Sequence, residues 1–241
     1  MRMRYLDRSV WLLVFLLFLY WSYAVDWSCN PNADECPENS GTFDVLSDCA
    51  LKICHTTYSA AVVVGQDETL TIAGREGLTT ITAPTDGRHF YVGSGTNAVL
   101  TLTRVKLTGG YKDKAITSNS HRGGSIWLQR GKVVVIDSWF FNNRAYGGGA
   151  IFVEAYGGDA TLELIDTKIT NNQATHSSGS GGGILAGGNL YAHTVTMSGG
   201  ELSHNEAGKN GGGISCGDAY ATVSCTFTNV LNHRLAGDIP Q

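Results

Sequence analysis

Val133-Val134-Val135-Ile136-Asp137-Ser138-Trp139-Phe140-Phe141-Asn142-Asn143 returns 29 residues later as Leu162-Glu163-Leu164-Ile165-Asp166-Thr167-Lys168-Ile169-Thr170-Asn171-Asn172. The apolar alternation, the Asp and the Asn pair all recur. A third copy stands 33 residues further on, where Val195-Thr196-Met197 leads to Leu202-Ser203-His204-Asn205. Earlier copies are Leu100-Thr101-Leu102 leading to Leu107-Thr108-Gly109-Gly110, and Leu70-Thr71-Ile72 followed by Gly74. A weaker one runs from Val223 and Cys225 to Val230 and Asn232. A second motif interleaves with the first: Gly123-Gly124-Ser125-Ile126, Gly148-Gly149-Ala150-Ile151, Gly181-Gly182-Gly183-Ile184 and Gly211-Gly212-Gly213-Ile214. Each unit therefore reads strand, corner, apolar residue, Asn, loop, Gly-Gly, strand.

Short segments rich in Val, Ile, Thr and Leu that alternate in polarity are the strand signature. With no helical pattern between them and a fixed period, three short strands per turn stack into a parallel β-helix, one of the solenoids. The chain is thus expected to be all-β, a single-stranded right-handed parallel β-helix. Leu100, Leu102, Val133, Val135, Leu162, Leu164, Val195 and Met197 should point inward with Phe140, Ile169 and Leu202. Ile126, Ile151, Ile184 and Ile214 should line the third wall. Asn143, Asn172 and Asn205 are expected to stack as a hydrogen-bonded ladder at one corner, where Asn also tolerates the left-handed backbone. A propeller would need blades of about 40–45 residues. A calcium-binding β-roll would need the G-G-x-G-x-D nonapeptide, which the chain lacks.

Composition supports the coil. Of 31 glycines, 24 lie beyond residue 100, and the chain has only four prolines. No G-X-Y period accompanies them, which excludes collagen. Aromatics at 10% and hydrophobics at 42% exclude a disordered glycine-rich linker. No Pro occurs from residue 85 through 239, as uninterrupted ladders require. The net charge of −4 with no basic patch argues against nucleic acid as a partner.

Arg2, Arg4 and Arg8 precede an unbroken apolar run from Val10 to Tyr20, followed by Ser22 and Ala24. That is the pattern of a secretory signal peptide over residues 1–24, with cleavage expected after Ala24. The run is shorter than the roughly 20 residues of a spanning helix, so an uncleaved anchor is the rival reading. The mature chain is then secreted or held at the cell surface, with no membrane span. All six cysteines lie beyond residue 24. In an oxidising compartment they suggest disulfides. Cys216 and Cys225 most simply pair with each other, Cys216 aligning with inward Val153 and Cys225 with inward Met197. Cys29, Cys36, Cys49 and Cys54 allow three pairings. They belong to a Cys-rich N-terminal cap over residues 25–58, in which Leu46, Cys49, Ala50, Ile53 and Cys54 predict one short helix within 43–54 covering the first rung. The β-helix proper is expected over 59–241, in about six rungs.

Phe140-x-x-Asn143 with Gly148-Gly149-Ala150-Ile151 resembles the FxxN and GGAI pair of polymorphic outer membrane protein repeats. Ile169-x-x-Asn172 and Leu202-x-x-Asn205 are looser copies. Thr79 through Phe90, then Leu100-Thr101-Leu102, resembles the opening rungs of secreted proteins with the pectin-lyase-like fold. The resemblance implies a surface or secreted β-helix, and the absence of a C-terminal membrane barrel departs from the first family. Enzymes of the second fold act on acidic polysaccharides. Pectate lyases of that kind carry R-x-x-P-x-x-R and a Ca²⁺ cluster, but Pro occurs here only at 31, 37, 84 and 240. The Asn-Thr-Asp, Asp-Asp, Gly-His-Gly and Arg-Ile-Lys segments of polygalacturonases are likewise missing.

What chemistry remains is sparse. Glycoside hydrolysis needs two carboxylates about 5–9.5 Å apart, and neighbouring rungs lie about 4.8 Å apart. Asp137 over Asp166, with Glu163 nearby, is therefore the candidate catalytic set; the plainer reading is a solvated column in which Arg104 pairs with Asp137. Trp139 and Lys168 share an outward column with Glu201, and Trp139 on a flat face is the candidate sugar-stacking residue. The seven His show no metal-ligand spacing, and no cofactor is indicated, Ca²⁺ excepted if the enzyme reading holds. Two functions remain: a secreted or surface non-catalytic β-helix serving adhesion, coat or glycan binding, with a polysaccharide or another surface protein as partner; or a divergent polysaccharide lyase or hydrolase.

Overall fold

The computed structural model describes residues 25–27, 41–45, 61–74, 78–83, 85–93, 97–112, 121–187, 191–217 and 223–231. Among them the chain is an all-β parallel solenoid of about five turns. One turn is representative. Gly131–Ile136 lies in the first wall, Trp139–Phe141 in the second, Arg144–Ala145 in a short ladder, and Ile151–Val153 in the third wall. Stacked turns build an eight-stranded first wall, a five-stranded second wall, a four-stranded short ladder and a six-stranded third wall. Every pairing is parallel, and strands meet only their counterparts one repeat away, as in Val133↔Leu162 and Leu162↔Val195.

The columns expected from the repeat form the core. Leu70, Leu100, Val133, Leu162 and Val195 stack on the first wall, beside Ile72, Leu102, Val135, Leu164 and Met197. Ile81, Leu107, Phe140, Ile169 and Leu202 stack on the second wall, and Phe90, Ile126, Ile151, Ile184 and Ile214 on the third. All are buried. Period-two alternation drives this arrangement, because each strand can bury only one face against the other walls.

On the third wall the alternate residues are apolar as well. Tyr91, Trp127 and Phe152 point away from the core yet are buried, with Ala61, Val63 and Leu185 packed against them. Arg88 lies over the Trp127 ring at 4.9 Å, and the indole Nε1–H donates to Glu154 at 2.8 Å. Burial lowers the Arg88 pKa to about 9, with Tyr91 and Glu154 opposing the shift, so the guanidinium stays charged at neutral pH.

Three sequence expectations change. Cys225 stands beside Val195, and Phe227 takes the place beside Met197; the last repeat is two residues longer than the alignment assumed. The Cys216–Cys225 disulfide forms all the same, across a Cα–Cα distance of 6.5 Å. The helix expected within 43–54 overlaps a strand, since Gly41–Val45 pairs in parallel with Leu70–Gly74 and itself carries Val25–Trp27 at its other edge. Residues 46–60, with Cys49 and Cys54, lie outside the described residues, as do Cys29, Cys36 and the signal segment 1–24. The third change concerns the Asn pairs. The left-handed corner is taken by Asn142 (φ 55°), Asn171 (φ 58°) and His204 (φ 53°), while the ladder is built by the next residue in each copy.

That ladder is continuous. The Asn172 Oδ1 accepts from the backbone N–H and the Nδ2 of Asn143, both at 3.0 Å. The Asn205 Oδ1 accepts from the same two groups of Asn172, at 2.9 Å each. Freed Nδ2 hydrogens go to carbonyls: Asn143 to Leu107 O, Asn172 to Phe140 O, Asn205 to Ile169 O.

Candidate functional site

The corner between the first and second walls is where the candidate residues meet. Asp137 and Asp166 occupy equivalent positions on neighbouring coils, each at φ 47°, with Arg104 (φ 54°) one coil earlier and Gly199 (φ 70°) one coil later. Asp is among the few side chains that adopt this conformation at low cost, so the corner accounts for both residues without any chemistry. Both are exposed. Neither is enclosed by apolar side chains, as a general acid that must hold its proton is. No ion pair joins Arg104 to Asp137. Glu163 lies on the first wall, where it pairs with Lys132 at 2.8 Å. Both side chains are more than one-third exposed, and a pair of that kind contributes little.

The outward column of the second wall runs Lys106, Trp139, Lys168, Glu201. Trp139 is half-buried rather than open. Its Nε1–H donates to Thr170 Oγ1 at 2.8 Å, and Phe141 packs against it at 4.9 Å. The Lys106 ammonium sits 4.3 Å from the Trp139 ring centre and 4.4 Å from that of Phe141. A ligand that stacks on Trp139 from that side displaces Lys106 first.

Where the corner side chains run out, the surface opens. Gly199 and Gly200 replace the Asp166–Thr167 corner, and a Cβ at Gly199 would stand 2.1 Å from Asp166 Oδ1. The space left is a groove of about 450 Å³ lined by Asp166, Lys168, Ser198, Gly199, Gly200, Glu201, Asn229 and Leu231. It brings together Asp166 and Lys168 from the candidate set, and leaves Asp137, Glu163 and Trp139 outside its lining. Ser198, Asn229 and Leu231 carried no mark in the sequence, because only the stacking of the last coils sets them against Asp166. Within the groove, Glu201 accepts from the Ser203 hydroxyl at 2.6 Å.

Among the described residues, no group of three or more His, Cys, Asp or Glu comes together in a way that could hold a metal ion. His89 is fully buried, its Nε2 donating to Ile81 O and its Nδ1 meeting Ser125 Oγ, both at 3.0 Å. His193 is also fully buried, and neither ring nitrogen has a partner. The chain matches no family model, no curated protein and no solved structure.

Proposed function

We propose that this chain is a secreted or surface-displayed β-helix whose work is binding saccharide through its outward faces, without catalysis. The observation that carries the reading is the groove at the Gly199–Gly200 corner. Its polar groups come from three successive coils: Asp166 and Lys168, then Ser198 and Glu201, then Asn229. Hydroxyl, amide, ammonium and carboxylate groups repeated about every 4.8 Å along a coil axis suit an extended, hydroxyl-rich polymer better than a compact molecule. Export through residues 1–24 fits that role, as does the likeness of the FxxN and Gly-Gly-x-Ile repeats to those of polymorphic outer membrane proteins and of pectin-lyase-like β-helices. The alternative, a divergent polysaccharide lyase or hydrolase, draws on Asp137 and Asp166 standing on neighbouring coils.

The test is a glycan-array measurement on the mature chain from Val25, followed by titration of the best ligand. Lys168→Ala with Glu201→Ala is expected to weaken that ligand at least tenfold. Absence of any bound saccharide would overturn the reading. So would release of unsaturated product from polygalacturonate with Ca²⁺, if Asp137→Ala or Asp166→Ala abolishes it.

A further inference from the structure

The first wall carries a second pattern on its outward face. Six of its strands present described side chains there: Thr69–Gly74, Val99–Thr103, Gly131–Ile136, Ala160–Ile165, His193–Ser198 and Val223–Thr228. Four of them read Thr-x-Thr: Thr69-Leu70-Thr71, Thr101-Leu102-Thr103, Thr194-Val195-Thr196 and Thr226-Phe227-Thr228. The residue between each pair packs in the core, so by period-two alternation both threonines point outward. Strand register then aligns them in columns, the middle one running Thr71, Thr101, Val134, Glu163, Thr196, Thr226.

The result is a rigid grid of hydroxyl and methyl groups. Neighbouring coils stand about 4.8 Å apart, and alternate residues along a strand about 6.6 Å apart. The register is unbroken across all six strands, so no bulge offsets one row from the next. Thr71, Thr101, Thr103, Thr194 and Thr196 are half-buried among their neighbours, and β-branched side chains are stiff at χ1. An O–H···O bond spans about 2.7 Å, so hydroxyls one coil apart cannot bond each other. Among the described residues, none of the hydroxyls in the four Thr-x-Thr pairs has a protein partner. Each must bond water, and the spacing admits a water that bridges two coils.

The rest of the face narrows the occupant. Its two charges, Lys132 and Glu163, pair with each other at 2.8 Å. In a chain of net charge −4, these columns are therefore neutral overall, and the complementary partner is uncharged. Protein partners are anchored by Trp, Tyr or Arg, with Thr, Ser and Val under-represented. Sugar rings are held on aromatic faces. None of these anchors stands in the three outward columns. A crystal of water meets every condition: its surface is flat and uncharged, its groups both donate and accept, and it repeats on the same scale as the coil. Weak contacts repeated over a rigid grid then reinforce one another, because each one holds the next in place.

We propose that the threonine face of the first wall binds ice, its hydroxyl grid holding waters in positions that join the crystal lattice. The Lys132–Glu163 pair interrupts the grid near its centre and limits the area that contacts the crystal. This activity is independent of the saccharide-binding reading and uses another surface, so the two can fail separately.

The experiment grows a single ice crystal in a solution of the fluorescently labelled chain from Val25, and measures the gap between melting and freezing points beside it. The wild type should enter the crystal and open a gap. Thr101→Lys and Thr196→Tyr should each shrink that gap at least fivefold with the protein's own melting temperature unchanged. Gln173→Lys, on the short ladder, should leave it as in the wild type. Lys132→Thr with Glu163→Thr completes the grid and should widen the gap at least twofold. Exclusion of the wild type from the crystal overturns the proposal, as does a gap that Gln173→Lys reduces as much as Thr101→Lys. A wild-type dimer that is excluded from ice, and that Thr101→Lys and Thr196→Tyr make monomeric, would assign the face to a second copy of the chain instead. Ice uptake by a chain that binds no glycan on the array supports the proposal and overturns only the saccharide reading.

Discussion

At the scale of single residues, the Gly-Gly pairs separate into two physical roles. The first of each pair has positive φ: Gly123 at 67°, Gly148 at 59°, Gly181 at 68° and Gly211 at 61°. The second is a matter of room. A Cβ on Gly124 would lie 2.4 Å from Gly149 O, and one on Gly149 would lie 2.2 Å from Gly182 O. The coils stack backbone on backbone there, so nothing can give. Gly149→Ala is therefore expected to cost roughly 3 kcal/mol, at the upper end for overpacking. In Gly158→Ala the nearest atom to the new Cβ is 3.7 Å away, so stability should stay within about 0.5 kcal/mol. Comparable melting temperatures for the two variants would refute this account. His89 is a second residue with a global consequence. Burial lowers its pKa from 6.5 to about 4, against the opposing effect of its backbone hydrogen bonds to Ile81 and Thr108. The unfolded chain therefore binds a proton that the folded chain refuses. The stabilising effect of a neutral His89 is complete above about pH 6.5 and is lost as pH falls toward 4, by roughly 3 kcal/mol in all. A melting-temperature series from pH 7 to 4 should show that loss, and His89→Leu should flatten it. A variant profile parallel to the wild type would assign the slope elsewhere.

At the scale of the element, the Asn ladder adds buried side-chain hydrogen bonds between coils to their strand pairing and core packing. Asn172 accepts two hydrogen bonds from Asn143 and donates to Phe140 O, Thr170 O and Asn205 Oδ1. It is buried. Asn172→Ala orphans several of these groups, each costing about 1–3 kcal/mol, so a total loss of roughly 3–5 kcal/mol is expected. Asn172→Asp keeps the acceptor but aims an anionic oxygen at carbonyl oxygens. Its deficit should be as large at pH 7 and shrink toward pH 4 as the carboxyl gains a proton, while the deficit of the Ala variant stays constant. Urea denaturation of both variants at the two pH values checks the pair; a constant deficit for Asp would mean that the amide donors contribute nothing. Much of this element was legible in the chain. The period, the inward columns and the ladder residues all follow from alternation and spacing. The division of labour between Asn142 and Asn143 did not, because both are Asn, which tolerates a left-handed backbone, and only the turn geometry decides which of the two adopts it.

At the scale of the molecule, a solenoid couples each turn only to its neighbours. The Cys216–Cys225 disulfide, whose partners stand nine positions apart in sequence, spans third wall and first wall of the last described turn. Chain-entropy arguments put its contribution at about 2–3 kcal/mol. The double variant Cys216→Ser with Cys225→Ser should therefore speed amide exchange in Val223–Thr228 by at least tenfold and leave Gly131–Ile136, three coils away, unchanged. Uniform acceleration along the coil would show that it unfolds as one unit and that the disulfide acts globally.

The sequence by itself determined the coil: its period, which side chains enter the core, which asparagines stack and which two cysteines meet. Those properties depend on alternation within a strand and on matching positions one repeat apart, and both are written linearly. Tertiary structure alone decided where the groove at Gly199–Gly200 and a second cavity, beside Arg122, lie. Asp166 faces Asn229 because Gly199–Gly200 leaves the corner empty between them, and Arg122 meets Tyr146, Phe152 and Ser178 because separate coils and separate walls converge there. Such meetings depend on corner geometry and on the side-chain volume of residues that share no motif, so no repeat announces them.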